Sequence, residues 1–127
     1  MHLNLEIFFP VPATFPNISG MIPISSTAIS VSWEPPSLID WNGIITLYEV
    51  EYNQTTFDEA TRTQTMLLNA SFSTVSITGL EEYTEYFLRV RAYTSMGPGP
   101  YSPPVITMTL EDGKLVIYVC CIMHGCV

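Results

Sequence analysis

An all-β fold built as a two-layer antiparallel sandwich is what this sequence predicts, and three observations predict it. Short segments alternate apolar and polar residues with a period of two, and ten prolines interrupt long helices wherever they fall. The third is a turn that leads directly into a strictly alternating strand, Gly79-Leu80-Glu81-Glu82-Tyr83-Thr84-Glu85-Tyr86-Phe87-Leu88-Arg89-Val90-Arg91-Ala92. Tyr86, Leu88, Val90 and Ala92 share one face of it, while Phe87, Arg89, Arg91 and Tyr93 share the other, so one face is buried and one is wet. Leu80, six residues before Tyr86, closes the preceding strand into the same core. A tyrosine placed like Tyr86 buries its ring and returns its hydroxyl to main chain upstream.

The elements follow in order. Pro10, Pro12 and Pro16 make an extended lead-in, with residues 1–12 irregular, domain onset near Ala13 and a first edge strand over 15–21. Residues 28–33 alternate, with Ile29, Val31 and Trp33 inward, and Pro35-Pro36 ends them. After a polar loop over 37–43, residues 45–52 form a central strand with Tyr48, Val50 and Tyr52 inward and Glu49 and Glu51 outward. Residues 53–62 are polar turn material, 65–68 a weaker strand, and Phe72, Val75 and Ile77 lead into Gly79 and Leu80. The strand over 86–94 ends in a Gly- and Pro-rich turn, Ser95-Met96-Gly97-Pro98-Gly99-Pro100, and residues 105–110 supply a last strand at an edge. The core prediction is therefore Trp33, Tyr48, Leu80, Tyr86 and Val90.

Bulk properties narrow the function. The 127 residues hold one domain of about 100 residues with short tails, and no second domain. A net charge of −8, from twelve acids against four bases, leaves no cationic surface for phosphates, which excludes nucleic acid as a partner. All three cysteines, Cys120, Cys121 and Cys126, fall in the last eight residues, so the body of the domain holds by packing without a disulfide. Three of the five asparagines head glycosylation sequons, Asn17-Ile18-Ser19, Asn53-Gln54-Thr55 and Asn69-Ala70-Ser71, where chance gives roughly one. That pattern favours the secretory route. Residues 1–13 lack a basic start and carry Asn4 and Glu6, so no signal peptide is evident in this chain.

Trp33-Glu34-Pro35-Pro36, Asn42-Gly43 ahead of Tyr48-Glu49-Val50-Glu51-Tyr52, Gly79-Leu80 ahead of Tyr86, Val90-Arg91-Ala92, and Gly97-Pro98-Gly99-Pro100-Tyr101-Ser102 occur in this order and spacing. Together they resemble a fibronectin type III domain, over residues 13–112. The resemblance implies a seven-stranded immunoglobulin-like sandwich of the kind repeated in cell-adhesion receptors and in receptor-type tyrosine phosphatase ectodomains. The chain departs from the pattern at Glu82 and Tyr83, where the family usually has Pro and Gly.

The resemblance also brings the loop holding Asp40 and Trp41 to the same end as the turn holding Met96 and Pro98, an end that family members use for protein partners. Two readings of Trp41 stand open: an exposed contact anchor, or a lid folded over the end of the sandwich. The tripeptide Arg-Gly-Asp and the Trp-Ser-x-Trp-Ser box are absent, which leaves integrin adhesion and cytokine reception without support. Glu49 and Glu51 face Arg89 and Arg91 on a neighbouring strand in this topology, and the reading is a solvated ladder of cross-strand pairs, each contributing roughly 0.2 to 1 kcal/mol. The acidic pairs Asp58-Glu59 and Glu81-Glu82 lack the ordered spacing of calcium ligands.

No catalytic constellation is present: His2 and His124 lie in the tails, and there is neither a phosphate loop nor a Gly-x-Ser-x-Gly elbow. No cofactor is expected. Residues 113–127 form an apolar, cysteine-rich tail whose run from Leu115 to Met123 is too short for a span of about 20 residues. Three origins fit it: a membrane helix cut short, a palmitoylated anchor at Cys120 and Cys121, or an alternative transcript end, the last preferred because the family pattern stops at Asp112. Cys120, Cys121, His124 and Cys126 offer zinc-type atoms, but adjacent cysteines lack the usual separation. The expected function is a non-catalytic recognition or spacer module on the extracellular side of a membrane receptor, with a protein partner and a possible membrane contact through residues 115–123. The alternatives are an ectodomain repeat of a receptor-type tyrosine phosphatase and an intracellular structural repeat.

Overall fold

The computed structural model describes residues 11–37, 43–56 and 63–112, and among them every regular element is a strand. The elements are β1 (Asn17–Ser25), β2 (Ala28–Glu34), β3 (Leu47–Gln54), β4 (Gln64–Asn69), β5 (Thr74–Ile77), β6 (Glu85–Thr94), β7 (Gly97–Pro98) and β8 (Val105–Met108). One sheet runs β1-β2-β5; the other runs β4-β3-β6, with β7 and β8 both pairing β6. All pairings are antiparallel.

Eight segments appear where seven strands are expected because the last strand is split. β7 pairs Tyr93 and Thr94 at the top of β6, and β8 pairs the stretch from Glu85 to Leu88 at the bottom. Between them the chain stays tied to β6, with the Gly99 and Ser102 N–H groups donating to the carbonyls of Ala92 and Val90, each at 2.8 Å. Ser102 also accepts the Val90 N–H through its hydroxyl at 2.9 Å, so a side chain completes the ladder where Pro100, Pro103 and Pro104 have no N–H to give. The predicted tight loop over 95–100 is thus shorter than expected, since Gly97 and Pro98 within it are strand. The last strand also ends early, at Met108. Thr109 leaves the sheet, and its buried hydroxyl donates to the Glu81 carbonyl at 2.7 Å and accepts from the Thr84 N–H at 2.9 Å.

The first strand lies further along than predicted, at Asn17–Ser25, bulged after Ile18 and again after Pro23. A bulge in an edge strand is where a strand proline is tolerated, which explains Pro23. Upstream, Pro12 is fully buried, and a Cβ on Gly99 would stand 2.8 Å from its ring and carbonyl. Only glycine permits that approach, so Pro12 packs as part of the domain although the predicted onset leaves it outside.

The two sheets enclose one core of Ile29, Val31, Trp33, Ile45, Tyr48, Val50, Ile77, Leu80, Tyr86, Leu88, Val90 and Ala92. All five predicted core residues lie in it. Trp33 packs on Tyr48 with ring centroids 5.4 Å apart and planes tilted by 58°, an arrangement that suits two aromatic quadrupoles. At the turn before β6, the Tyr86 hydroxyl accepts the Glu81 N–H at 2.9 Å, the return to upstream main chain expected of it. Where the family pattern has glycine, Tyr83 takes a left-handed conformation, φ 48°, with its ring exposed.

Candidate recognition surface

Two surfaces compete for a functional role: the outer face of the five-stranded sheet and the end carrying the loops. The sheet face is built by register. Glu49 lies directly opposite Arg91, and Glu51 directly opposite Arg89. Arg89 pairs with Glu51, and Arg91 reaches Glu49 Oε1 through Nη2 at 2.8 Å. Tyr93 donates its hydroxyl to Glu49 Oε1 at 2.7 Å, and Tyr101 donates to Oε2 at 3.1 Å. The Tyr101 ring in turn lies 4.0 Å from the Arg89 guanidinium and 4.3 Å from that of Arg91, within the range of cation–π attraction.

The predicted solvated ladder therefore needs correction at Glu49. It faces outward from the sheet, yet Arg91, Tyr93 and Tyr101 close over it and leave it 6% exposed. Alternation reports which face a residue takes and cannot report what a neighbouring strand lays over it. The sequence signal for this lid was Tyr101, directly after the Gly-Pro-Gly-Pro turn and aimed back across β6.

The electrostatics follow from that cover. Burial alone would push the Glu49 carboxyl up, but the hydrogen bonds from Tyr93 and Arg91 and the charge of Arg91 outweigh it, holding the group below its ordinary range. Burial, then the charges of Glu49 and Glu51, push the Tyr101 phenol up to about 12. Tyr93 is raised first by its hydrogen bond to Glu49 and then by burial. Each arginine of the ladder already has a carboxylate and an aromatic ring, so the face offers little free valence to an incoming charge.

The loop end is different. Met96 is 68% exposed and Ile44 77%, and Pro98 is exposed beside them. The backbone under them is fixed: the Thr46 N–H donates to the Tyr93 carbonyl at 2.8 Å, and the Met96 N–H to the Thr94 hydroxyl at 3.3 Å. Gly97, at φ 146°, makes the turn that an L side chain resists. Met96 and Pro98 share one exposed turn. Asp40 and Trp41 lie outside the described residues. Ile44 was missed by sequence reasoning, because it stands between a loop and a strand and belongs to no alternating run.

The sequons fall in three settings. Asn17 is exposed in β1, Asn69 is exposed at the end of β4, and Asn53 is buried in β3. Among the described residues no group of three or more His, Cys, Asp or Glu could hold a metal, and no helix is long and apolar enough to cross a membrane. Asp58, Glu59 and the tail from Leu115 to Met123, with its cysteines and His124, lie outside the described residues.

Comparison with known proteins places this geometry. The chain is 38% identical over 101 residues to bovine receptor-type tyrosine-protein phosphatase F, a match covering 80% of this chain and 5% of that protein. It is 42% identical over 89 residues to rat contactin-2, covering 68% and 8% respectively. This chain therefore spans a small fraction of the curated relatives it matches. Among solved structures, the third fibronectin III domain of human KIAA0343 protein superimposes with a TM-score of 0.74 at 25% identity, covering 82% of this chain and 87% of that one. The family model for the fibronectin type III domain matches residues 12–108, beginning at the buried Pro12 and ending where β8 ends, and the chain belongs to that family.

Proposed function

We propose that the domain is a non-catalytic recognition module from the extracellular part of a cell-surface receptor, and that it meets its protein partner at the loop end. The observation that carries this is the exposure of both Ile44 and Met96 next to hydrogen-bonded strand ends, on a domain whose sheet-face charges are already partnered. An apolar anchor on a rigid base loses little freedom on binding, so its burial goes into affinity. Asp40, Trp41, Met96 and Pro98 form the proposed contact set. The relatives, a receptor-type phosphatase and contactin-2, support the extracellular placement.

The test is binding of the labelled domain to intact cells. Met96→Asp and Trp41→Ala are each expected to abolish saturable binding and leave the melting transition nearly unchanged, whereas Leu67→Ser on the sheet edge is expected to leave binding intact. Loss with Leu67→Ser and retention with both loop variants would move the site to the sheet. The identity to receptor-type tyrosine-protein phosphatase F supports a second reading, a spacer repeat that positions a phosphatase it does not contain. Under that reading no variant of the isolated domain changes binding, and only the domains flanking it do.

A further inference from the structure

The three sequons are alike in sequence and unlike in the fold. Asn69 ends β4, the outer strand of its sheet, opposite Leu47 and two residues beyond the exposed Leu67. There its Oδ1 accepts the Ser71 N–H at 2.9 Å, an Asx turn, and its carbonyl accepts the Phe72 N–H at 3.0 Å. The turn folds Ser71, the hydroxyl residue of the sequon, back onto the amide it must accompany, and a third bond, from the Ala70 N–H to the Thr46 carbonyl at 3.1 Å, fixes the turn to the loop end.

Asn53 is the opposite case. It lies in a central strand with its amide closed at both ends: Oδ1 accepts the Gln54 N–H at 2.8 Å, and Nδ2 donates to the Thr63 hydroxyl at 3.5 Å. It is 5% exposed. A sugar on that nitrogen would have to replace the bond to Thr63 and part the side chains above β3. Asn17 stands between the two, exposed but extended in β1 opposite Glu34.

We propose that Asn69 is an N-glycan attachment site, that the folded domain excludes a glycan at Asn53 despite its sequon, and that Asn17 is occupied less fully than Asn69. Attachment joins Nδ2 to the anomeric carbon of an oligosaccharide as the bond from that carbon to a phosphate oxygen of a lipid diphosphate donor breaks. The Nδ2 proton is lost and the lipid diphosphate departs. The glycan then stands on the outer edge of the sheet beside the loop end, where it hinders edge-to-edge strand pairing and confines a partner's approach to the other sides of that end. This rests on the extracellular reading, because the donor acts in the secretory route.

The experiment directs the full chain into that route with an added secretory leader. Glycans on the secreted protein are released enzymatically in heavy-oxygen water, and the converted asparagines are located by peptide mass. Near-complete label at Asn69, partial label at Asn17 and none at Asn53 is expected. Asn69→Gln should remove the mass of one glycan and Asn53→Gln none. Chain that takes a glycan at Asn53 before β3 is closed over cannot bury that side chain and is expected only in the retained, intracellular fraction. Unlabelled Asn69, or Asn53 labelled to a similar extent in secreted protein, overturns the proposal. Since the leader supplies the route, such a result leaves the extracellular reading standing. That reading fails separately, if the parent receptor carrying an epitope in this domain is stained only after its cells are permeabilised.

Discussion

The ladder on the sheet face and the loop end both reach solvent, but they are built to opposite ends. At the ladder, Glu49 receives Arg91, Tyr93 and Tyr101, and the Tyr101 ring collects both guanidinium groups, so each polar group is used. At the loop end, bonds between main-chain groups and one threonine hydroxyl hold the frame while Ile44 and Met96 are left uncovered. Internal satisfaction stabilises a surface and removes its capacity to bind. A rigid frame with unsatisfied apolar side chains keeps that capacity, and in this domain the two properties sit on separate strand ends and faces.

The sharpest way to break this comparison is to remove an anchor from each side of it. Trp33 is buried against Tyr48, and Trp33→Ala is expected to cost about 3 to 5 kcal/mol through the cavity it leaves. Met96→Ala is expected to stay within about 0.5 kcal/mol, as exposed substitutions do. Denaturant midpoints at constant m-value measure both. Similar losses would mean that Met96 packs into the fold and that the loop end is no open surface.

The ladder predicts a smaller and asymmetric effect. Glu49→Gln removes the charge that Arg91 faces and weakens the acceptor of two tyrosine hydroxyls, and should cost about 1 to 3 kcal/mol. Glu51→Gln should cost less than about 1 kcal/mol, because Arg89 is more open to water and keeps its stacking on Tyr101. The order Glu49 over Glu51 is the content of the prediction, and chemical denaturation of the two variants decides it.

Titration probes the same cluster without mutation. Glu49 is held below its unfolded value, so its contribution is present above the ordinary carboxylate range of about 4.3 and is lost as pH falls through the lower folded value. Tyr101 is raised to about 12, so its contribution is present below the unfolded phenol value and is lost as pH climbs from there toward 12. Melting temperature against pH should therefore fall on both flanks. Tyr101→Phe should make the alkaline flank shallower without removing it, because Tyr93 is raised as well, and should leave part of the acid one, because Tyr93 and Arg91 still hold Glu49. An unchanged alkaline flank in that variant would separate Tyr101 from the cluster.

The parts of this molecule that were legible in sequence are those governed by two-residue periodicity. Trp33, Tyr48, Val90 and Tyr86 declared their burial by parity, and the cross-strand partners of Glu49 and Glu51 followed once the strand order was known. What was not legible depends on where a non-neighbouring segment comes to rest. Pro12 against Gly99, Tyr101 over Glu49, and the split of the last strand all arise from the irregular stretches, which carry no period to read. The candidate site suffers most from this, since an exposed Ile44 and a closed Asn53 look in sequence like any isoleucine and any sequon.

The smallest expected effect lies at the corner that ties β6 to the end of β8. Tyr83 holds φ 48° in a turn pinned by its own N–H to the Leu110 carbonyl at 3.2 Å, while its ring stays 61% exposed and contributes little burial. A left-handed L residue carries a steric cost of about 1 to 2 kcal/mol, whereas glycine escapes it but gives up about 0.5 to 1 kcal/mol through its freer unfolded chain. Tyr83→Gly should therefore stabilise the domain by no more than about 1 kcal/mol. Tyr83→Ala keeps the strained Cβ and is expected to gain nothing. The pair separates two causes: if alanine stabilises as much as glycine, the exposed ring and not the backbone is what the fold tolerates at this corner. Denaturant midpoints of the two variants, measured beside the parent, tell them apart.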